Sequence, residues 1–199
     1  MKPLSEATIF VSIAAYRDPQ LPLTVASLFA QAEHPERVFV GVFNQMHLQE
    51  DQDCVAPDRP NLLQHVLDYK EAQGACWARG YVWNKLLGEQ DFALQIDSHS
   101  RFAPNWDTSV LQMHADIGDE QAVITHYPMG FDTETGALDA QMYTYFNVQS
   151  FRATQLPEVT SGAVDVQAAP KRCAQTAFVA AGSLFGRGAM FKQVPSDPY

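Results

Sequence analysis

Three stretches of this chain, residues 7–15, 37–44 and 92–96, are apolar at successive positions and therefore on both faces of any strand they form. A strand buried on both faces belongs inside a parallel sheet, whose crossover connections lay helices over each side. The segments between the runs agree. Asp18-Pro19 offers a cap and a first-turn proline, and Leu21, Val25, Leu28 and Phe29 follow at helical spacing to about residue 32. His34-Pro35-Glu36 breaks that helix. Residues 62–68 read as a third strand, and residues 75–87 as a helix with Trp77, Tyr81, Trp83, Leu86 and Leu87 on its buried stripe and Gly88 at its end. Through residue 97 the order is βαββαβ.

This order predicts an α/β, Rossmann-like fold with a mixed, mainly parallel sheet and helices on both faces. A helix is expected over 109–116, a fifth strand over 121–126, and a short closing helix over 188–191. Residues 174–184 read as an apolar strand interrupted by Gly182. Between 129 and 171 turn residues dominate, with a strand-like stretch at 142–148. The length suits one domain spanning 1–199.

Composition narrows the partners. The net charge is −10, from 23 acidic against 13 basic residues, and no run of Lys or Arg occurs. Nucleic acid and anionic membrane are therefore excluded as partners on electrostatic grounds, although a bound cation can still recruit a phosphorylated ligand. No stretch reaches the roughly 18 apolar residues of a membrane span. Three cysteines, Cys54, Cys76 and Cys173, lack metal-like spacing and suit reduced thiols, which points to the cytoplasm. Glycine-rich phosphate loops, dinucleotide fingerprints and nucleophile elbows are missing from the sequence.

The chemistry concentrates where the run Phe92-Ala93-Leu94-Gln95-Ile96 stops on Asp97-Ser98-His99. Strand alternation places Asp97 and His99 on one side, so both can face an ion beyond the strand's carboxyl end, where open α/β sheets bind ligands. A carboxylate beside an imidazole suits Mn²⁺ or Zn²⁺. Taken alone, the triplet reads equally as a solvated turn.

Arg79 followed by Gln95-Ile96-Asp97-Ser98-His99-Ser100-Arg101-Phe102 resembles the GlcNAc-transferase family of GT-A fold, whose named members are cytoplasmic enzymes that glycosylate hydroxyproline. The resemblance extends over the run from Ile9 to Asp18, over Glu36-Arg37-Val38-Phe39-Val40-Gly41, over Thr125-His126-Tyr127-Pro128 and over Val194-Pro195-Ser196-Asp197-Pro198. The Asp-Ser-His triplet, with Arg79-Gly80 one strand earlier, is also similar to the metal motif of polypeptide GalNAc-transferases. By resemblance, Asp97 and His99 hold a divalent metal, expected to be Mn²⁺, with His126 a candidate third ligand. Ser98 is placed to reach the sugar or ribose, Tyr16 is expected to stack on the base, and Arg17 to reach a phosphate. Asp68 is expected to accept the uracil imide proton, and Arg79 to hold Asp68 or the diphosphate. The activity implied is retaining transfer of a sugar, GlcNAc first, from a UDP-sugar to a hydroxyl on a protein or peptide, met by Tyr143, Tyr145 and Phe146. Asp107, by contrast, reads as a helix cap. No carboxylate in the matched blocks reads as nucleophile or base, so the catalytic residue is unassigned. The family continues past the Val-Pro-Ser-Asp-Pro block, and a C-terminal truncation is therefore expected. The rival readings are a non-catalytic nucleotide-sugar-binding domain and a metal-dependent hydrolase using His99 and His126.

Overall fold

The structure, a computed structural model, describes residues 2–138, 142–155, 157–165, 167, 173–176 and 178–194. The apolar runs become β1 (Ile9–Tyr16), β2 (Val38–Met46) and β4 (Phe92–Asp97), with β3 (Leu62–Asp68) between the last two in sequence. Helices α1 (Leu21–Gln31) and α2 (Ala75–Lys85) complete the expected βαββαβ order, and α3 (Trp106–Ile117) follows β4. The remainder is β5 (Ile124–Thr125), β6 (Met142–Phe151), β7 (Pro157–Asp165), β8 (Ser183–Arg187) and α4 (Gly188–Gln193).

Six strands make one sheet in the order β3-β2-β1-β4-β8-β5, in which only β8 runs against its neighbours. Its faces are divided by strand parity. Ile9, Val11 and Ile13 of β1 bury against Leu21, Val25 and Leu28 of α1 and against Trp106 and Leu111 of α3. On the opposite face, Phe10, Phe43 and Ala93 pack with Ala78, Val82 and Trp83 of α2 and Phe191 of α4. This is the mainly parallel sheet with helices on both faces that the sequence predicts. Phe10, Phe43, Phe191, Ile13, Leu21 and Leu28 are fully buried, each contributing about 1.5–3 kcal/mol of transfer free energy.

Topology fixes where a ligand can sit. The chain leaves β1 through α1 to pair β2 on one flank, then returns from β3 through α2 to pair β4 on the other. The carboxyl ends of β1 and β4 therefore border a switch point, the crevice in which open α/β sheets take ligands.

Several boundaries differ from expectation, each for a local reason. Helix α1 begins at Leu21 because Asp18 makes a turn of its own, its Oδ1 accepting from Gln20 N at 2.9 Å. Helix α2 stops at Lys85 with Leu86 as its cap, while Gly88 instead receives the Gln90 side-chain oxygen on its N–H. The expected strand at 121–126 reduces to Ile124–Thr125. Most of 174–184 is not strand. Thr125 Oγ1 accepts from Ala180 N and donates to Ser183 O, and Gln95 Nε2 donates to Ala181 O, so side chains take the backbone groups a ladder needs. The strand-like stretch at 142–148 lies in β6, which pairs with β7 in a separate two-stranded sheet. The side chains of Tyr143, Tyr145 and Phe146, and the residues Pro195-Ser196-Asp197-Pro198, lie outside what the structure describes.

Gly188 opens α4 against the turn before β4, and a Cβ there would lie 2.3 Å from the Gln90 carbonyl oxygen, a backbone atom. Gly188→Ala is expected to destabilise the fold by about 1–3 kcal/mol, read as a lower denaturant midpoint with an unchanged slope.

Candidate functional site

Past the carboxyl ends of β1 and β4 lies an open cleft of about 360 Å³, lined by Ala14, Tyr16, Arg17, Asp18, Ala75, Arg79, Asp97, Ser98 and His99. Seven of these were singled out in the sequence or border those that were. Their placement follows from chain direction: β1 and β4 run parallel with Ala14 opposite Asp97, so the residues that follow both strands emerge side by side.

Asp97 is the last residue of β4 and points to the α2 side of the sheet. Arg79, on that helix, donates from Nη2 to Asp97 Oδ1 at 3.0 Å, a partly buried charge-assisted bond. The other oxygen faces Gly182. A Cβ on Gly182 would lie 2.6 Å from Asp97 Oδ2 and 3.7 Å from the Pro128 ring, so the chain passes the carboxylate at a distance only glycine allows. Gln95 and Thr125 pin the 180–183 segment in that position.

The strand ends at Asp97, and the chain bends at Ser98 and His99. Period-two alternation thus does not extend to His99, whose place is set by Asp18. Asp18 Oδ2 accepts from Ser98 Oγ at 2.5 Å and pairs with His99 Nδ1 at 2.9 Å. Burial pushes the Asp18 carboxyl up, but the bonds from Ser98, His99 and Gln20 N outweigh it and hold the group below the usual aspartate value. On the far side Thr24 ties the bend to α1: its hydroxyl donates to Ser98 O at 2.6 Å and accepts from Ser100 N at 2.9 Å.

Arg17 forms the lip, with φ of 48°. Its guanidinium grips Asp51 in a fork, 2.7 Å from Nε to Oδ2 and 3.0 Å from Nη2 to Oδ1, and lies 4.7 Å over the Tyr69 ring. The hydrogen bond that Arg17 donates to Asp51 raises the Arg17 pKa, and the same bond lowers that of Asp51. Asp18, next to Arg17 in sequence, is taken by Ser98 and His99, and Arg17 pairs instead with Asp51. Tyr16 is more than half exposed beside Arg17, edge-on to Tyr69 with ring centroids 6.4 Å apart.

The remaining candidates lie outside the cleft lining. Asp68 ends β3, two strands from β1, and its side chain accepts from Lys70 N at 2.9 Å as the cap of a single 3₁₀ turn. His126 follows β5 and exchanges a 3.0 Å bond between Nδ1 and Ser183 Oγ, one residue beyond Gly182. Asp107 is buried in the first turn of α3, where its two oxygens accept from Glu33 N and His34 N at 2.9 Å each. It ties the end of α1 to the start of α3 and is not presented to a ligand.

The donor set fits a divalent ion of the Mn²⁺ class. A carboxylate and an imidazole both line the cleft, and a divalent ion at a diphosphate uses one or two protein groups while phosphate oxygens fill the rest. Among the described residues no three His, Cys, Asp or Glu side chains gather closely enough to cage an ion by themselves. Sequence reasoning missed Asp18, Gly182 and Thr24 as parts of this corner. Of these, Asp18 had a signal, since it lies two residues past the end of a strand parallel to β4.

The fold is an open α/β sheet with a cleft at its switch point, and the acidic and basic groups of the site stand on adjacent strand ends. A sequence model of the glycosyltransferase (GlcNAc) family matches residues 8–63 and 58–199, and the chain belongs to that family. No curated protein matches it. Among solved structures, S. aureus TarS 1-349 is similar at a TM-score of 0.52 and 12% identity, over 94% of this chain and 48% of that one. The same protein in complex with UDP-GlcNAc gives 0.47 at 14% identity, over 67% of this chain and 38% of that one. The mannosyltransferase PcManGT from Pyrobaculum calidifontis, in complex with GDP-Man and Mn²⁺, gives 0.46 at 13% identity, over 63% and 39%. The chain thus spans less than half the length of these relatives. At such identity the first likeness speaks to the fold, which is the expected GT-A type. No helix among the described residues is long and apolar enough to cross a membrane.

Proposed function

We propose that this chain carries the donor site of a glycosyltransferase that binds a UDP-sugar, UDP-GlcNAc first, through a divalent ion, and passes the sugar to a hydroxyl on a protein or peptide with retention of configuration. The observation that carries the reading is the convergence of Asp97, His99, Asp18 and Arg79 on one cleft at the switch point of a GT-A sheet. Family membership supports GlcNAc as the sugar.

Asp97 and His99 are the residues that would hold the ion, with His126 a further candidate if the loop after β5 closes. When bound, a divalent ion offsets the charge that develops on the departing diphosphate. The protein's own part is positioning. Arg79 is in place to meet the diphosphate once Asp97 is engaged elsewhere, and Arg17 to meet it on exchange from Asp51. Tyr16 offers an exposed ring to the base, with Tyr69 behind it. Ser98 is committed to Asp18, so a role toward sugar or ribose requires its hydroxyl to turn. Asp68 reaches a uracil ring only from the β3 side. Among the described residues no carboxylate of the cleft is free to act as a nucleophile or as an inverting base, which favours retention by a mechanism in which the departing phosphate accepts the acceptor's proton on the same face.

Titration calorimetry with UDP, with and without Mn²⁺, tests the donor site. Binding that requires the metal is expected, with UDP-GlcNAc preferred to GDP-sugars. Metal-independent affinity of equal strength removes the ion from the site, and no affinity for UDP in either condition removes the reading.

A further inference from the structure

We infer that Asp18 is a positioning residue that fixes the tautomer of His99, so that His99 presents Nε2 to the ion in the cleft. The inference rests on the metal-dependent donor site just proposed and adds a residue to it. Asp18 is itself anchored. One oxygen accepts from Gln20 N and the other from Ser98 Oγ and His99, and its side chain is only 14% exposed against 62% for His99. A partly buried anchor thus holds Nδ1 of a ring that is otherwise largely exposed in the cleft.

The chemistry of the neutral imidazole makes this decisive. One ring nitrogen carries hydrogen and the other a lone pair, and whichever faces an ionised carboxylate carries the hydrogen. The carboxylate of Asp18 can only accept, so Nδ1 donates and the lone pair is left on Nε2. Hydrogen-bonded carboxylates behind metal-bound histidines orient the ring and raise its basicity, and their loss costs about 10- to 100-fold in metal affinity. The same contact accounts for a puzzle of the sequence. His99 sits past the end of β4, where strand alternation no longer directs it, and Asp18, from the neighbouring parallel strand end, directs it instead.

Two-bond ¹H–¹⁵N correlation NMR on the metal-free full chain, above the ordinary titration range of imidazole, reads the tautomer without reference to activity. The expected result is His99 with hydrogen on Nδ1, the minor form of free histidine. Hydrogen on Nε2 overturns the inference, and this measurement needs no variant to fold. In Asp18→Asn the side chain is neutral and its NH₂ can donate to Nδ1, so the population is expected to move toward hydrogen on Nε2. Mn²⁺ affinity in the presence of UDP is expected to fall by about 10- to 100-fold with it. A double-mutant cycle separates positioning from a general structural or charge effect. Once His99→Ala is made, Asp18→Asn is expected to cost nothing more; an equal loss in both backgrounds shows that Asp18 acts on its own and overturns the inference. If Mn²⁺ does not bind the wild-type chain while the tautomer is as expected, the donor-site reading fails and the role of Asp18 toward His99 stands.

Discussion

Asp97→Ala is expected to weaken Mn²⁺-dependent binding of UDP by on the order of a thousandfold, about 4 kcal/mol, the largest loss of any single change in the cleft. Two effects add. The ion loses its carboxylate ligand, and the diphosphate then meets an acidic protein of net charge −10 without the cation that would offset it. A third effect opposes them, because Asp97 also holds Arg79 at 3.0 Å, and its removal frees that guanidinium. The expected signature is therefore specific: affinity with Mn²⁺ collapses, while the weak affinity without metal stays level or rises. Arg79→Ala in the same background should remove the residual metal-free binding. Undiminished Mn²⁺-dependent affinity in Asp97→Ala would take Asp97 out of the metal site. Melting curves serve as the control, since the Asp97–Arg79 pair is partly exposed and contributes only modestly to stability.

That Asp97 could be singled out from the sequence has a plain cause. A run apolar on both faces announces a buried strand, and β1, β2 and β4 all carry one; that of β4 ends on a carboxylate, which marks the functional edge as well. β3 was less legible, because seven residues with its pattern fit a strand or a helix turn, and it proves to be an exposed edge strand. Strand order was not legible beyond β4. The residues of β8 pair antiparallel with β4 on one side and β5 on the other, and nothing in Ser183-Leu184-Phe185-Gly186-Arg187 distinguishes that slot from any other. Apolar content alone also misled just before β8, where side-chain bonds from Thr125 and Gln95 take the backbone groups of Ala180 and Ala181.

The site was legible as a set of types and not as a set of pairs. Asp97, His99, Arg79, Arg17, Tyr16 and Ser98 do share one cleft, but which acid meets which base was decided by contacts between distant segments. Asp18 looked like a helix cap because capping is a local property that can be read in a few residues. Its bonds to Ser98 and His99 join positions about 80 residues apart, and no periodicity reports those. Arg17 likewise finds Asp51 across 34 residues, in the loop after β2.

Gly182 is the clearest case of a residue whose role only the folded chain displays, and Gly182→Val carries the second large expected effect. In the sequence it interrupts an apolar run; in the structure its missing side chain is what leaves room for Asp97 Oδ2, 2.6 Å from where a Cβ would be. Valine places two further methyl groups between that oxygen and the Pro128 ring. The carboxylate is the movable partner, because the 180–183 backbone is pinned by Thr125 and Gln95, so Asp97 turns away while the sheet persists. A ligand oxygen displaced by about 1 Å costs on the order of a hundredfold in a positioned site. Gly182→Val is thus expected to lower Mn²⁺-dependent UDP affinity by that factor and to leave the denaturant midpoint within the range of ordinary surface substitutions. Gly182→Ala should fall between the two. A variant that loses stability in step with affinity would instead make Gly182 a packing position, and one that keeps full affinity would show that Asp97 Oδ2 does not face the ion.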